Sequence, residues 1–289
     1  MISRFDYKIP KTLSEACDLL WEYEGKARVI AGGTDLVLLL RNGKEHPPCL
    51  VDITEISELR RIEEKDGMIL IGAAVTHSEI SSSLLLKRYG RVLSDAAGEI
   101  GSPQIRNIGT IGGNIVNASP AADTLPPLMV LNAVAKVTSR EGEREVALHQ
   151  LFKGPYASEL RPHEILVEIG FHKLPSGSKT SFVRLARREA MAIARMSVAL
   201  FLQMDKENNR IRDIRVSLGA VTPIPHRVSG VEALLRGKSP DEGTLKMASA
   251  KVSEEMVKQA GVRPSTSYKS PVVEALFMRA FREALGSET

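Results

Sequence analysis

Apolar residues recur at helical spacing from the start of the chain. Leu13, Ala16, Cys17, Leu20 and Tyr23 fall on one stripe, behind the capping-box pattern Thr12-Leu13-Ser14-Glu15. The pattern predicts an amphipathic helix with Cys17 as a core thiol. Residues 28–31 read as a short strand, Gly32-Gly33 breaks it, and 35–41 return to helical spacing. A second short apolar strand over 49–53 completes a strand–loop–helix–strand opening. Asp66-Gly67 is a turn signal between two strand-like runs, the second over 68–72. Thr76-His77-Ser78-Glu79 is a second capping box, predicting a helix towards Leu86, and 90–100 suggests another. Residues 133–138 and 144–148 flank Glu141-Gly142 as a hairpin, and 164–171 alternate like a strand.

Leu174-Pro175-Ser176-Gly177-Ser178 is the best candidate domain boundary. Beyond it, 196–204 and 211–220 read as strands around Asn208-Asn209. Ser239-Pro240-Asp241-Glu242 combines a cap, a proline at the first helical position and acids in the first turn. A long helix to about 259 is predicted after it, and a last helix over 270–285. The second half is therefore a hairpin or small sheet backed by helices.

Composition narrows the function classes. In 289 residues, 43% are hydrophobic and 26% charged, which is ordinary for a folded soluble protein. The net charge is +4, and acids interleave with most basic residues. One stretch is locally basic: Arg184, Arg187, Arg188 and Arg195, against Glu189. It is too small for a nucleic-acid footprint and fits a phosphate-bearing ligand or a solvated face. Aromatics at 4% argue against base stacking. Two cysteines, Cys17 and Cys49, cannot hold an iron–sulfur cluster or a four-thiolate zinc site alone. The six histidines show no metal-ligand spacing, and no Gly-x-Ser-x-Gly occurs. The longest aliphatic run, 36–40, is far too short to span a membrane, and no secretory leader is visible. The expected location is cytoplasmic.

Two glycine loops carry the candidate chemistry. The first is Ala31-Gly32-Gly33-Thr34-Asp35-Leu36; the second, about eighty residues on, is Gly109-Thr110-Ile111-Gly112-Gly113-Asn114. Glycines let a backbone turn tightly and approach a ligand closely. Successive N–H groups then form an anion-binding nest, reinforced where a helix begins. Thr34, Thr110, Asn114 and Asn117 add short hydrogen-bonding side chains. Together the loops suggest a clamp on a diphosphate; two plain tight turns would fit the glycine pattern as well. No two glycines flank a single residue, and no Gly-Lys-Ser/Thr occurs, so neither a Rossmann fingerprint nor a P-loop is present.

At these residues the chain resembles the FAD-binding medium subunit of the molybdenum hydroxylases, the carbon monoxide dehydrogenase, xanthine dehydrogenase and aldehyde oxidase group. The resemblance rests on Phe5-Asp6-Tyr7, Ser14-Glu15-Ala16, the first glycine loop and Val51-Asp52-Ile53. Its strongest block runs from Ile105-Arg106-Asn107-Ile108 through the second loop to Ala118-Ser119-Pro120-Ala121-Ala122-Asp123. Gly219-Ala220-Val221-Thr222-Pro223-Ile224-Pro225 and Ser267-Tyr268-Lys269 extend it almost to the end.

The resemblance implies an α+β chain. Residues 1–176 would form a two-subdomain flavin fold like that of vanillyl-alcohol oxidase (a PCMH-type FAD-binding domain), with subdomains at about 1–56 and 57–176. Residues 177–289 would form a small α+β domain with an antiparallel sheet plus helices. FAD would lie extended between the subdomains. Ile30, Ala31, Gly32, Gly33, Thr34, Asp35 and Leu36 would wrap its pyrophosphate from one side. Gly109, Thr110, Ile111, Gly112, Gly113 and Asn114 would wrap it from the other. Asn117 and Asp123 would bind further along, Leu166 would pack near the flavin or adenine, and Arg184 would stand close to FAD. Met191-Ala192-Ile193-Ala194 stands where some relatives carry a basic or aromatic residue, implying a less shielded isoalloxazine. The implied function is electron transfer from [2Fe–2S] clusters of a small partner chain, through FAD, to an external acceptor. The molybdenum cofactor would sit in a large partner chain, giving a heterotrimer, and no residue here would be catalytic. A stand-alone flavoenzyme and a non-redox diphosphate-binding module are the rival readings.

Overall fold

A computed structural model of the chain describes residues 4–188, 191–205 and 207–286. β1 (Asp6–Lys8), β2 (Arg28–Ile30) and β3 (Cys49–Asp52) form a parallel sheet in the order β1-β3-β2. Parallel neighbours need crossovers, and α1 (Leu13–Glu22) and α2 (Leu36–Arg41) provide them. The α1 stripe packs as predicted: Ala16, Cys17 and Leu20 are buried in one cluster with Cys49 and Val51 of β3. Burial of a side chain such as Leu20 contributes roughly 1.5–3 kcal/mol. The first capping box is only half closed. Thr12 Oγ1 accepts from the Glu15 N–H at 3.2 Å, but Glu15 Oε2 takes the Lys11 N–H at 2.8 Å instead of that of Thr12. Both N–H groups are solvent-side donors, and the carboxylate pairs with the outer one.

β4 (Ile62–Lys65) and β5 (Met68–Gly72) open a second, antiparallel sheet. Short helices follow: α3 (His77–Ser82), α4 (Leu84–Tyr89), α5 (Arg91–Gly98), α6 (Pro103–Ile108), α7 (Ile111–Asn117) and α8 (Leu125–Val130). The hairpin of β6 (Val134–Ser139) and β7 (Gly142–Ala147), the ribbon of β8 (Phe152–Gly154) and β9 (Ala157–Ser158), and β10 (Ile165–His172) complete this part. The five-stranded order is β4-β5-β10-β6-β7. The second capping box is complete, Thr76 and Glu79 bonding each other's N–H at 2.8 and 3.2 Å. The helix it opens stops early, because Ser83 turns extended and its Oγ caps α4 through the Leu86 N–H at 3.3 Å. β10 does not alternate in burial, since it is central and covered on both faces. Ile165 and Val167 pack with the α1 cluster, while Leu166, Ile169 and Phe171 pack among the helices, with a bulge between Leu166 and Glu168.

β11 (Lys179–Leu185), β12 (Met196–Asp205), β13 (Arg210–Gly219) and β14 (His226–Arg227) form an antiparallel sheet in chain order. α9 (Ser229–Leu235), α10 (Glu242–Ala260) and α11 (Thr266–Leu285) back it. The unbroken apolar run in β12 reflects burial on both faces. Phe182, Ala199 and Phe201 join the helix cluster of the preceding part, while Val198, Leu200 and Leu202 pack with α10 and α11. Two helix starts differ from the sequence reading. The cap of α10 is Asp241, whose Oδ1 accepts the Thr244 N–H at 2.8 Å, so Ser239 and Pro240 lie outside. A carboxylate is at least as good a cap as serine and adds charge at the positive helix end. α11 begins at Thr266 and carries Pro271 inside it. The lost N–H of Pro271 is outweighed by the apolar face of Val273, Leu276, Phe277, Ala280 and Phe281.

Candidate functional site

A cleft of about 380 Å³ lies between the β2–α2 connection on one side and α7 with the start of β10 on the other. Ile30, Ala31, Gly32, Gly33, Thr34, Asp35 and Leu36 all line it. So do Thr110, Gly112, Gly113, Asn114 and Asn117 from the second loop and helix, and Leu166 from β10. Gly109 and Ile111 are buried behind that wall, and Asp123 and Arg184 do not line the cleft.

The two glycine loops touch. A Cβ on Gly32 would stand 1.8 Å from the Ile108 carbonyl oxygen and 3.0 Å from Gly109 Cα, so only glycine permits the contact. Gly33 has φ +66°, a conformation side chains rarely adopt. Among the described residues, no backbone carbonyl accepts from the N–H groups of residues 32–36, while the Gly33 carbonyl accepts the first helical bond, from Val37 at 3.0 Å. The first loop therefore keeps a run of unspent donors.

The second loop works differently from the sequence reading. Most of its N–H groups are taken by the protein itself, that of Thr110 being the exception among the described residues. Ile111 donates to Val75 at 3.0 Å, Gly112 to Ala73 at 2.9 Å and Asn114 to Thr110 at 3.0 Å. The Gly113 N–H is capped by Thr110 Oγ1 at 3.2 Å. This segment is stitched onto the end of β5 and offers the cleft a bare surface and side-chain polar groups, not a nest of N–H donors. A Cβ on Gly112 would sit 2.6 Å from both Cβ and O of Ala73, so that glycine serves packing. A Cβ on Gly113 meets only Thr110 Oγ1, at 3.0 Å, so that glycine faces the cleft.

Charges around the cleft are largely neutralised in pairs. Arg28 holds Glu45 through Nε and Nη2 at 3.1 and 2.8 Å. The Glu164 side chain, 4% exposed, takes both arms of Arg144 at 2.8 Å and the Arg161 N–H at 2.8 Å. The Arg144 guanidinium holds the Glu164 carboxyl below its usual range. Three further lining residues carried no signal in the glycine pattern. His77 is 3% exposed, and its Nδ1 has no hydrogen-bond partner among the described residues. Burial, helped by the nearby charge of Arg106, pushes its pKa down to about 4, so the ring is neutral. Tyr156 stands 68% exposed with φ +57°, and Arg161 lies beside it along the rim. Of these, only His77 left a sequence signal, inside the second capping box, and there it reads as helix initiation.

Asp123 and Arg184 form a cluster of their own behind the cleft wall. The Arg184 side chain, 3% exposed, bonds Glu99 at 2.7 Å, Asp123 Oδ2 at 3.2 Å and the Ala192 carbonyl at 3.1 Å. Asp123 Oδ1 has no partner among the described residues. Burial pushes the Asp123 pKa up to about 7 against the pull of Arg184. Thr124, next in the chain, donates to Asn114 Oδ1 at 2.6 Å and so ties the cluster to the lining. Asp123 is not the cap of α8; that position is Thr124, whose side chain is turned to Asn114. Met191 and Ile193 are exposed beside this cluster. Among the described residues no group of His, Cys, Asp or Glu could hold a metal ion, Cys17 and Cys49 are unpaired, and no helix is long and apolar enough to cross a membrane.

This donor set fits a dinucleotide: free N–H groups for a diphosphate, glycines where a Cβ would intrude, and apolar Ile30, Ile165 and Leu166 for rings. Comparison with known proteins agrees. The family described as the FAD binding domain in molybdopterin dehydrogenase matches residues 3–173. The CO dehydrogenase flavoprotein C-terminal domain matches 181–284. The chain is 33% identical to the glyceraldehyde dehydrogenase medium chain of Sulfolobus acidocaldarius, over 96% of this chain and 98% of that one. It is 29% identical to a xanthine dehydrogenase FAD-binding subunit of Escherichia coli O157:H7, over 97% and 96%. Carbon monoxide dehydrogenase from Hydrogenophaga pseudoflava superposes with a TM-score of 0.92 at 27% identity, covering 100% of both chains. The chain belongs to the FAD-binding family of the molybdopterin dehydrogenases, with the CO dehydrogenase flavoprotein C-terminal domain following its flavin domain.

Proposed function

We propose that this chain is the electron-transferring medium subunit of a molybdenum hydroxylase complex. It receives electrons from [2Fe–2S] clusters of a small partner chain and passes them by way of FAD to an external acceptor. Substrate oxidation belongs to a large molybdopterin-binding chain, and the three chains form a heterotrimer. The observation that carries this reading is the meeting of two glycine segments at one cleft, one with unspent N–H donors and the other with a side-chain-free wall.

FAD, when bound, supplies the redox chemistry. The chain's residues hold and orient it. The N–H groups of Gly32, Gly33, Thr34, Asp35 and Leu36 would donate to the diphosphate. Thr110, Asn114 and Asn117 would add polar contacts, Gly113 would keep the opposite wall open, and Gly112 would let that wall pack onto Ala73. Ile30 and Leu166 would pack against rings, while Gly109 and Ile111 shape the wall from behind. Asp123 with Arg184 would stand next to the far part of the cofactor. No residue is assigned an acid, base or nucleophile role.

The proposed domains are 1–176, with subdomains about 1–56 and 57–176, and 177–289. Two unpaired, buried thiols support a cytoplasmic location. The relatives named above are chains of glyceraldehyde and xanthine dehydrogenases. One medium-chain fold thus serves different substrates, and the substrate is set in the large chain.

The test is a visible spectrum and an FAD titration of the purified chain, followed by co-purification with its partners. Flavin uptake with recovery of a large and a small chain is the expected result. No uptake overturns the flavin reading, and substrate turnover by the isolated chain would make it a stand-alone enzyme.

A further inference from the structure

Among the described residues His77 is the one cleft-lining side chain with a buried, unpartnered polar atom. It is the first residue of α3, held by the Thr76–Glu79 capping box and by its own N–H on the Gly109 carbonyl at 3.0 Å. The Cδ2–Nε2 edge of its ring faces Gly109. A Cβ there would stand 3.3 Å from Cδ2 and 3.7 Å from Nε2. Gly32 rests on the same Ile108–Gly109 peptide from the first loop. The imidazole therefore sits beneath the point where the two loops meet. It makes no side-chain hydrogen bond among the described residues although it is 3% exposed; Nδ1 is fully enclosed, so Nε2 is the ring nitrogen left to face the cleft. A buried polar group left unpaired is costly, and native structures rarely keep one without a use.

We infer that His77 is a ligand-binding residue, donating an imidazole N–H to the diphosphate of the bound dinucleotide at the junction of the two loops. This rests on the FAD-binding reading above and adds a side-chain contact to it. Three features favour the diphosphate over either ring. The junction is where residues 32–36 present their free N–H groups. The second loop has spent most of its N–H groups, those of Ile111, Gly112, Gly113 and Asn114, on Val75, Ala73 and Thr110, so donors on that side come from the Thr110 N–H and from side chains. The imidazole is kept neutral by burial and by Arg106. A neutral ring still offers one N–H, and it does so without burying a charge.

The test separates ligand binding from packing. The His77→Leu and His77→Gln variants of the full chain are titrated with FAD, ADP and FMN, and the apo forms are melted. If His77 binds the diphosphate, His77→Leu weakens FAD and ADP alike by roughly ten- to hundredfold, the range for a hydrogen bond to a charged group. The apo melting temperature stays level or rises, because an unpaired buried polar group has been removed. His77→Gln keeps a donor and loses far less affinity. Unchanged FAD and ADP affinity in His77→Leu overturns the inference. So does a loss seen with FAD and FMN but not with ADP, which would put the contact on the flavin half. Should His77→Leu not fold, equal affinities in His77→Gln and a His77→Ala variant would overturn it too. A parent chain that takes up no FAD would instead overturn the functional reading itself.

Discussion

Adjacent Gly112 and Gly113 should respond in opposite ways to the same substitution. A methyl on Gly112 would lie 2.6 Å from Ala73 Cβ and O and 3.0 Å from its Cα. Two of those atoms are backbone, so α7 must move off the end of β5 and strain the Gly112 N–H bond to Ala73 O. Overpacking of this kind costs about 1–3 kcal/mol. A methyl on Gly113 meets only the Thr110 hydroxyl, at 3.0 Å, which needs to give by a few tenths of an ångström while still capping the Gly113 N–H. Gly113 has no positive φ, so alanine gains up to about 1 kcal/mol of helix propensity there. Gly112→Ala should therefore lower the apo melting temperature by several degrees, while Gly113→Ala leaves it level or raises it. Flavin binding should show the reverse sensitivity at position 113. Gly113→Val puts a branched side chain into the cleft and should block FAD uptake while the fold persists. The assays are thermal melting of the apo-protein and FAD titration followed by flavin fluorescence. Normal FAD occupancy in Gly113→Val would refute the assignment of that wall to the cofactor. A stable Gly112→Ala beside an unstable Gly113→Ala would refute the packing argument.

Gly32→Ala should lose both stability and FAD binding, because its methyl would stand 1.8 Å from the Ile108 oxygen and force the loops apart; retained binding at unchanged melting temperature would contradict the contact. Burial raises Asp123 from 3.8 to about 7, so between these values the folded chain holds a proton that the unfolded chain has released. Its contribution to stability therefore falls as pH rises through that window. The melting-temperature gain of Asp123→Asn over the parent should grow from about pH 5 to pH 7.5, and a flat difference would refute the shift. Arg184→Leu leaves Asp123 and Glu99 without their shared cation and should cost about 3–5 kcal/mol in urea unfolding. Arg184→Lys should recover part of that, since one ammonium cannot reproduce the fork between Glu99, Asp123 and the Ala192 carbonyl.

The parts legible in the sequence were those governed by local rules. The α1 stripe, the β6–β7 hairpin and the paired glycines each announce themselves within a dozen residues. β11 did not, because its buried Phe182 and Val183 sit among lysine, arginine and hydroxyl side chains and read as a basic stretch. α11 begins at Thr266 where the sequence predicts 270, and Pro271 lies inside it. His77 was hidden as well: the capping box explained its position, and nothing in the sequence shows that its ring has no partner among the described residues. Asp123 and Arg184 are placed near the cofactor by resemblance alone, and in the structure they bond each other, Glu99 and the Ala192 carbonyl.

Two loops of nearly the same composition play different parts because their neighbours differ. The first leaves the short parallel strand β2 with no strand beside its N–H groups, so they remain available to a ligand. The second carries an isolated bridge between Thr110 and Thr76 and lies against Ala73 and Val75, whose carbonyls take the N–H groups of Gly112 and Ile111. An identical glycine pair is thus a nest in one place and a smooth wall in the other. A diphosphate held between them would be bonded from the first loop and only accommodated by the second, unless a side chain supplies the missing donor. That asymmetry shifts the second side of the clamp onto side chains, where His77 would join Thr110, Asn114 and Asn117.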